Sequence, residues 1–152
     1  MPEYDYLQAY GVTDARRERK IKLIAITLVV ALIAGVVLYY QLRNFSEERQ
    51  SSRFFDLLKK KDYAAAYRLW GCTPETPCRD YAYDKFLEDW GPQSPHADLS
   101  SLKVAKTRSC ETGIIQILDF GKGETVNLYV QRKDKTLSFA PWEYCNPRWQ
   151  AP

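Results

Sequence analysis

The first pattern along the chain is an uninterrupted apolar one: no residue from Leu23 to Tyr40 is charged. With Ile21 and Leu42 added, and Lys22 and Gln41 reaching toward headgroups, the run comes to roughly 20 residues. An α-helix needs about that length to cross a bilayer core of about 30 Å. The run is apolar on every helical face rather than along one stripe, which predicts lipid around it instead of a protein core. Tyr39 and Tyr40 close it at the level where aromatic rings favour the membrane interface, so they are the expected lipid contacts. A cleaved secretion signal has a shorter apolar stretch, roughly 7–15 residues, and ends at a small-x-small site that is missing here, so the run is expected to stay as an anchor.

Beyond the span the pattern turns polar and helix-compatible through about Arg53, a candidate stalk. Phe54, Phe55, Leu57 and Leu58 then predict a short amphipathic helix, ended by Lys59-Lys60-Lys61 where cations suit a helix C-terminus. Asp62 is a natural N-cap for the next helix, Tyr63 to Trp70, and Gly71 stops it. Tyr83, Phe86, Leu87 and Trp90 stand at i, i+3, i+4 and i+7, the apolar stripe of a third helix over 81–90 that Gly91-Pro92 terminates. After a loop rich in Pro, Ser and Asp the period changes to two. Leu102/Val104, Ile115/Ile117 and Val126/Leu128/Val130 are read as alternating with polar neighbours, the half-buried strand pattern, and Leu137 and Phe139 open a fourth strand. Gly121-Lys122-Gly123 and Arg132 to Lys135 suit the turns between strands. The expected fold class is therefore α+β: one transmembrane helix, then a small domain of three helices and a four-stranded antiparallel sheet. The expected organisation is a tail over 1–20, a span over 21–42, a stalk over 43–53 and a folded domain over 54–152.

Charge adds orientation. Arg16, Arg17, Arg19, Lys20 and Lys22 precede the span against Glu18 alone, whereas Arg43 and Arg49 after it are diluted by Glu47 and Glu48. Positive flanks stay inside, so the tail is expected in the cytoplasm and the domain outside, on a single-pass cell (inner) membrane protein with a periplasmic or other extracytoplasmic head. The cysteines point the same way: Cys72, Cys78, Cys110 and Cys145 all follow the span. Two disulfides in an oxidising compartment are expected. Four cysteines allow three pairings, and the short loop holding Pro74 and Pro77 favours Cys72–Cys78 with Cys110–Cys145. The net charge is only +3, with no basic stripe in the outer part, so nucleic acid is not an expected partner.

The segments Phe54-Phe55-Asp56-Leu57-Leu58 and Asp62-Tyr63-Ala-Ala-Ala-Tyr67, the helix Tyr83–Trp90 and the meander through Phe139 together resemble small domains of the nuclear transport factor 2-like, or cystatin-like cone, superfamily. The resemblance covers roughly 50–142 and implies helices laid on one curved sheet. That superfamily holds isomerases and dehydratases as well as non-enzymatic membrane-tethered domains, so the fold alone does not select a function. The layout of tail, span and outer domain also parallels the inner-membrane cone-fold component of type IV secretion systems. The motif around Asp62 is similar to a fragment of a tetratricopeptide repeat too, but one helix pair followed by strands does not build such an array.

Little in the chain suggests chemistry. Asp80, Asp84 and Glu88 fall at i, i+4 and i+8, an acidic face opposite the apolar stripe and beside Arg79 and Lys85, where surface pairing is the plain expectation. His96 follows Pro95 in a loop with no nucleophile near it, and a surface position is expected. No metal-ligand spacing, phosphate-binding loop or haem attachment pair occurs, so no cofactor is expected. The candidate partner-binding residues are Tyr4, Tyr6 and Tyr10 in the tail and Trp142, Tyr144, Arg148 and Trp149 near the end, since Trp, Tyr and Arg are overrepresented among interface anchors. The expected function is a non-catalytic accessory or scaffolding subunit of a larger membrane complex, of electron-transport, photosynthetic or secretion type. The alternative is a tethered module holding an apolar ligand or lipid in its cone, and an isomerase- or dehydratase-like enzyme stands third.

Overall fold

The computed structural model describes the backbone of residues 6–121 and 123–146 and the side chains of residues 16–121 and 123–146. The chain divides into two compact units, Met1–Arg43 and Asn44–Pro152. The first is a single helix, α1 (Tyr6–Leu42), which already includes most of the segment expected as a tail. It is long and apolar enough to cross a membrane, and none of its apolar stretch is buried against protein. Tyr39 and Tyr40 are 62% and 66% exposed, as residues facing lipid would be.

The second unit is α+β, as its periodicities predict. Its helices are α2 (Phe45–Lys59), α3 (Tyr63–Arg68) and α4 (Tyr83–Trp90). The strands β1 (Lys103–Ser109), β2 (Gly113–Asp119), β3 (Thr125–Gln131) and β4 (Leu137–Phe139) follow. The four strands pair antiparallel in chain order, with Ile115 opposite Tyr129, Gln116 opposite Leu128 and Tyr129 opposite Ser138. The helix stops are built as the sequence suggests. Asp62 accepts the Ala65 amide at 3.0 Å as the α3 N-cap. α2 ends in a pair of bonds, Lys61 N to Leu58 O and Asp62 N to Leu57 O, with Lys61 itself in the left-handed region at φ 59°. At Gly91 a Cβ would lie 2.3 Å from the Leu87 carbonyl oxygen, so only glycine can end α4 there.

The helices cover one face of the sheet. Phe54, Ala66, Tyr67, Trp70, Phe86, Trp90, Ile114, Leu118, Leu128, Val130 and Leu137 form the main core. Phe54 is its hub, with its ring 5.0 Å from Trp90, 5.4 Å from Phe55, 6.2 Å from Trp70 and 6.3 Å from Phe86. Tyr67 is equally enclosed, and its hydroxyl donates to the Tyr81 carbonyl at 2.6 Å while accepting the Cys78 amide at 2.9 Å. That bond fastens the loop closed by the Cys72–Cys78 disulfide onto the core.

Three expectations need correction. Residues 43–53 are not a stalk: α2 opens at Phe45, and Glu47 and Ser51 are each only 2% exposed. A charged first turn can be buried because the Lys135 ammonium sits 2.8 Å from Glu47 Oε1, with Arg132 Nε 3.7 Å from the same oxygen. The Arg132 guanidinium also reaches Asn44, Ser109 and the Cys110 carbonyl, each at 3.4 Å. Lys135 lies 88 residues from Glu47 in sequence, beyond any local pattern. Second, Ile115/Ile117 do not face the main core: Ile114, Gln116 and Leu118 do, and β2 is buried on both faces. Third, β1 is not half-buried along its length. It is an edge strand with Lys103, Val104 and Lys106 exposed and an irregular register between Val104 and Lys106, features that discourage another strand from adding to that edge.

Burial pushes the Glu47 carboxyl up, but the Lys135 hydrogen bond, the backbone amide and the charges of Lys135 and Arg132 outweigh it and hold the group below its ordinary 4.5. A lowered folded-state value means that the ion pair stabilises the domain fully above about pH 4.5, and that this contribution disappears as pH falls through the lowered value. Glu47→Gln is expected to cost about 2 kcal/mol at neutral pH. It should also shrink the difference in denaturant midpoint between pH 7 and pH 3. Equal acid sensitivity in the two proteins would exclude Glu47 as the responsible group.

Candidate interaction site

The face of the sheet away from the helices carries a second, smaller cluster: Cys110, Ile115, Tyr129 and Ala140. Antiparallel pairing places Ile115 beside Tyr129 on that face. After β4 the chain turns at Pro141 and passes as a strap through Asn146, with Cys145 bonded to Cys110 at the β1–β2 turn. The Ala140 amide donates to the Asn127 carbonyl at 2.9 Å, so the strap leaves the sheet from a fixed point. The Tyr129 hydroxyl donates to Thr112 Oγ1 at 2.7 Å. A groove of about 250 Å³ runs between strap and sheet, lined by Glu111, Thr112, Ile115, Tyr129 and the disulfide.

On the strap itself Trp142 and Tyr144 point outward. They are 37% and 55% exposed, with ring centroids 6.2 Å apart. Trp70, Trp90, Tyr67, Phe54 and Phe86 are by contrast all buried. Of the sequence candidates, the structure therefore brings Trp142 and Tyr144 together. Tyr4, Arg148 and Trp149 lie outside the described residues, as do the side chains of Tyr6 and Tyr10. Comparison with family models, curated proteins and solved structures finds no match.

The acidic face does not assemble. Asp80 lies before α4, is 75% exposed and pairs with Arg79 at 3.5 Å, while Glu88 pairs with Lys85 at 2.6 Å in the open. His96 departs from the surface position expected for it. Its side chain is 13% exposed, packed 5.4 Å from Trp90 and 4.5 Å from Phe120, with Nε2 3.3 Å from Glu124 and Nδ1 2.9 Å from the Asp89 carbonyl oxygen. The loop carrying it is thus fastened to the β2–β3 turn, and no nucleophile faces the ring in these contacts. Among the described residues no cluster of His, Cys, Asp or Glu is placed to hold a metal.

One pair escaped the sequence reading. Tyr81 donates to Asp89 Oδ2 at 2.7 Å and lines an open groove of about 430 Å³ with Trp70, Phe139, Arg79 and the Cys72–Cys78 bridge. Burial first, then the Asp89 hydrogen bond and charge, pushes the phenol far above its ordinary value. So stiff an acid is a poor proton donor, and the bond serves to hold the 71–82 loop against α4. The i, i+8 spacing of Tyr81 and Asp89 was visible in the chain, but only the loop preceding α4 brings the two together.

Proposed function

We propose that the chain is a single-pass membrane protein with its N-terminus in the cytoplasm and its disulfide-bonded domain outside, acting as a non-catalytic accessory subunit of a larger membrane assembly. Electron-transport, photosynthetic and secretion complexes are the classes of host we propose, and the domain is read as cone-like on the resemblance described above. The apolar helix, the charge asymmetry around it and the paired cysteines support the placement. The observation that carries the docking role is the Trp142–Tyr144 pair, two large aromatics held in solvent on a strap pinned by Cys110–Cys145. Ordering two rigid aromatic side chains costs little entropy on binding, and such residues dominate interface energetics.

Extraction in mild detergent followed by blue-native electrophoresis tests this. The wild type should migrate in a complex larger than itself. Trp142→Ala combined with Tyr144→Ala should weaken that association by about tenfold or more while leaving the melting temperature of the domain nearly unchanged. Migration of the wild type only as a monomer would remove the proposal.

A second reading, a binding module for an apolar small molecule, moves from the interior to the surface. The space between helices and sheet is filled by side chains, whereas the groove beside Trp70, Tyr81 and Phe139 has a volume in the range of ligand sites, roughly 300–1,000 Å³. Native mass spectrometry of protein purified from membranes would show a retained small molecule under this reading.

A further inference from the structure

We infer that the exposed face of α2 is a membrane-surface contact that takes the phosphate headgroups of anionic phospholipids. The inference rests on the membrane reading proposed above and goes beyond it. Phe45, Arg49 and Arg53 follow one another at intervals of four, so they share one helix face, with Lys60 two turns further along it. That face is opposite the buried one, which carries Glu47, Ser51, Phe54, Phe55 and Leu58. Phe45 is 56% exposed, an apolar ring in solvent at the first position of the helix. Arg49 and Arg53 are exposed and make no ion pair among the described residues. Two like charges one turn apart weaken a bare helix, and an anion bound between them reverses the sign of that term.

The surroundings suit an anion. A shallow groove of about 630 Å³ is lined by Ser46, Arg49, Gln50, Arg53, Lys60 and Lys135, with Asp56 the one acid in its lining. Of the two acids in the first turn, Glu47 is buried against Lys135 and Arg132 on the other side of the helix, and Glu48 is half-buried and lines no part of that groove. Chain length supplies the address. Phe45 is three residues after Leu42, so however the two units are arranged their Cα atoms are at most about 11 Å apart. The headgroup layer beyond the hydrocarbon is itself about 5–8 Å thick. An apolar ring followed by arginines on one face is the arrangement of helices that lie in that layer, with the ring toward the acyl boundary and the cations among phosphates.

The four cysteines are paired, so a single added cysteine takes a nitroxide label selectively. Full-length protein carrying Ser46→Cys, with Arg68→Cys as the control position, is placed in nanodiscs of phosphatidylcholine alone or with phosphatidylglycerol at about one part in three. Collision of the label with oxygen and with a polar nickel chelate is then compared. In the anionic discs the oxygen-to-nickel accessibility ratio at position 46 should rise by about threefold or more over the neutral discs, and Arg49→Glu with Arg53→Glu should abolish the rise. The ratio at position 68 should stay the same. An unchanged ratio at position 46 in anionic discs, or a rise that survives the charge reversal, overturns the inference. So does a rise produced in neutral discs by free inorganic phosphate alone, which would make the face a site for soluble anions. Alkaline washing separates the two levels of the argument: release of the protein from the discs defeats the membrane reading, whereas a retained protein with an unmoved label defeats only the headgroup contact.

Discussion

Phe54→Ala is expected to remove about 3–5 kcal/mol from the stability of the α+β domain and to lower its melting temperature by about 15 °C. The ring is fully buried and lies edge-on to Phe55, Trp70, Phe86 and Trp90. Truncation removes the transfer term of a whole phenyl group and leaves a hole that four other large rings, each fixed by its own neighbours, cannot close. A domain of this size has only about 5–15 kcal/mol in total, so the variant approaches the limit of folding. Thermal melts followed by near-ultraviolet circular dichroism, where the clustered aromatics report directly, measure it. A loss below about 1 kcal/mol would mean that the space between helices and sheet is not closed around this ring. The alternative of a ligand held between helices and sheet would then regain its ground.

Removing the Cys110–Cys145 bridge by Cys110→Ser with Cys145→Ser should rank second, at about 3–4 kcal/mol. The bridge spans 35 residues, and tying a long loop restricts the unfolded chain more than tying a short one. The same change to Cys72–Cys78, with a separation of 6, should cost about 2 kcal/mol. The two variants differ in kind as well. Loss of the long bridge frees the strap, so Ile115 and Tyr129 lose cover on the outer face and the Trp142–Tyr144 pair loses its fixed presentation. Chemical denaturation of both variants, with hydrogen exchange across β2, would separate these effects. Equal losses in the two, or unchanged protection at Ile115, would show that the strap does not depend on its sulfur.

The strap therefore ties stability to the proposed docking role. The Cys110–Cys145 bond holds the aromatics of the strap in place, so the proposed docking role depends on an oxidising compartment, as the proposed topology does. The ion pair of Glu47 performs a parallel task where the chain enters the domain at α2, three residues after α1 ends, and Arg132 links it to the Cys110 carbonyl. Lys135, held with φ 64° in the turn between β3 and β4, reaches back to that first helical turn, so the point at which the chain enters the domain is clamped to its last hairpin.

Much of this was legible in the chain because it depends on near neighbours. The helix long enough to cross a membrane shows itself through eighteen consecutive residues without charge, apolar on every face. The stop of α2 at the lysines, the Asp62 cap, the Gly71 and Gly91 boundaries and the strand period of two are likewise local, decided by backbone geometry within a turn or two. The candidate pair Trp142 and Tyr144 could be named because aromatics near a cysteine are conspicuous by type. What remained hidden involves partners far apart. The run Ile114-Ile115-Gln116-Ile117-Leu118 announces a strand but not which residues face the helices, because every second position is apolar on both sides. Residues 43–53 read as a solvated stalk, since a glutamate in a polar stretch carries no mark of a lysine 88 positions away. His96 read as a loop residue until Trp90, Phe120 and Glu124 closed around it.

The amino-acid sequence by itself determined that one helix is long and apolar enough to cross a membrane, that all four cysteines follow it, and the α+β succession, because each follows from composition and period along a continuous stretch. Only the tertiary structure decided the pairing of the cysteines, which face of β2 meets the core, and that residues 45–53 belong to α2 and pack on the domain rather than forming a stalk. The physical reason is common to all three: burial and charge neutralisation are properties of surfaces brought together, and a chain read in order does not say which of its surfaces will meet.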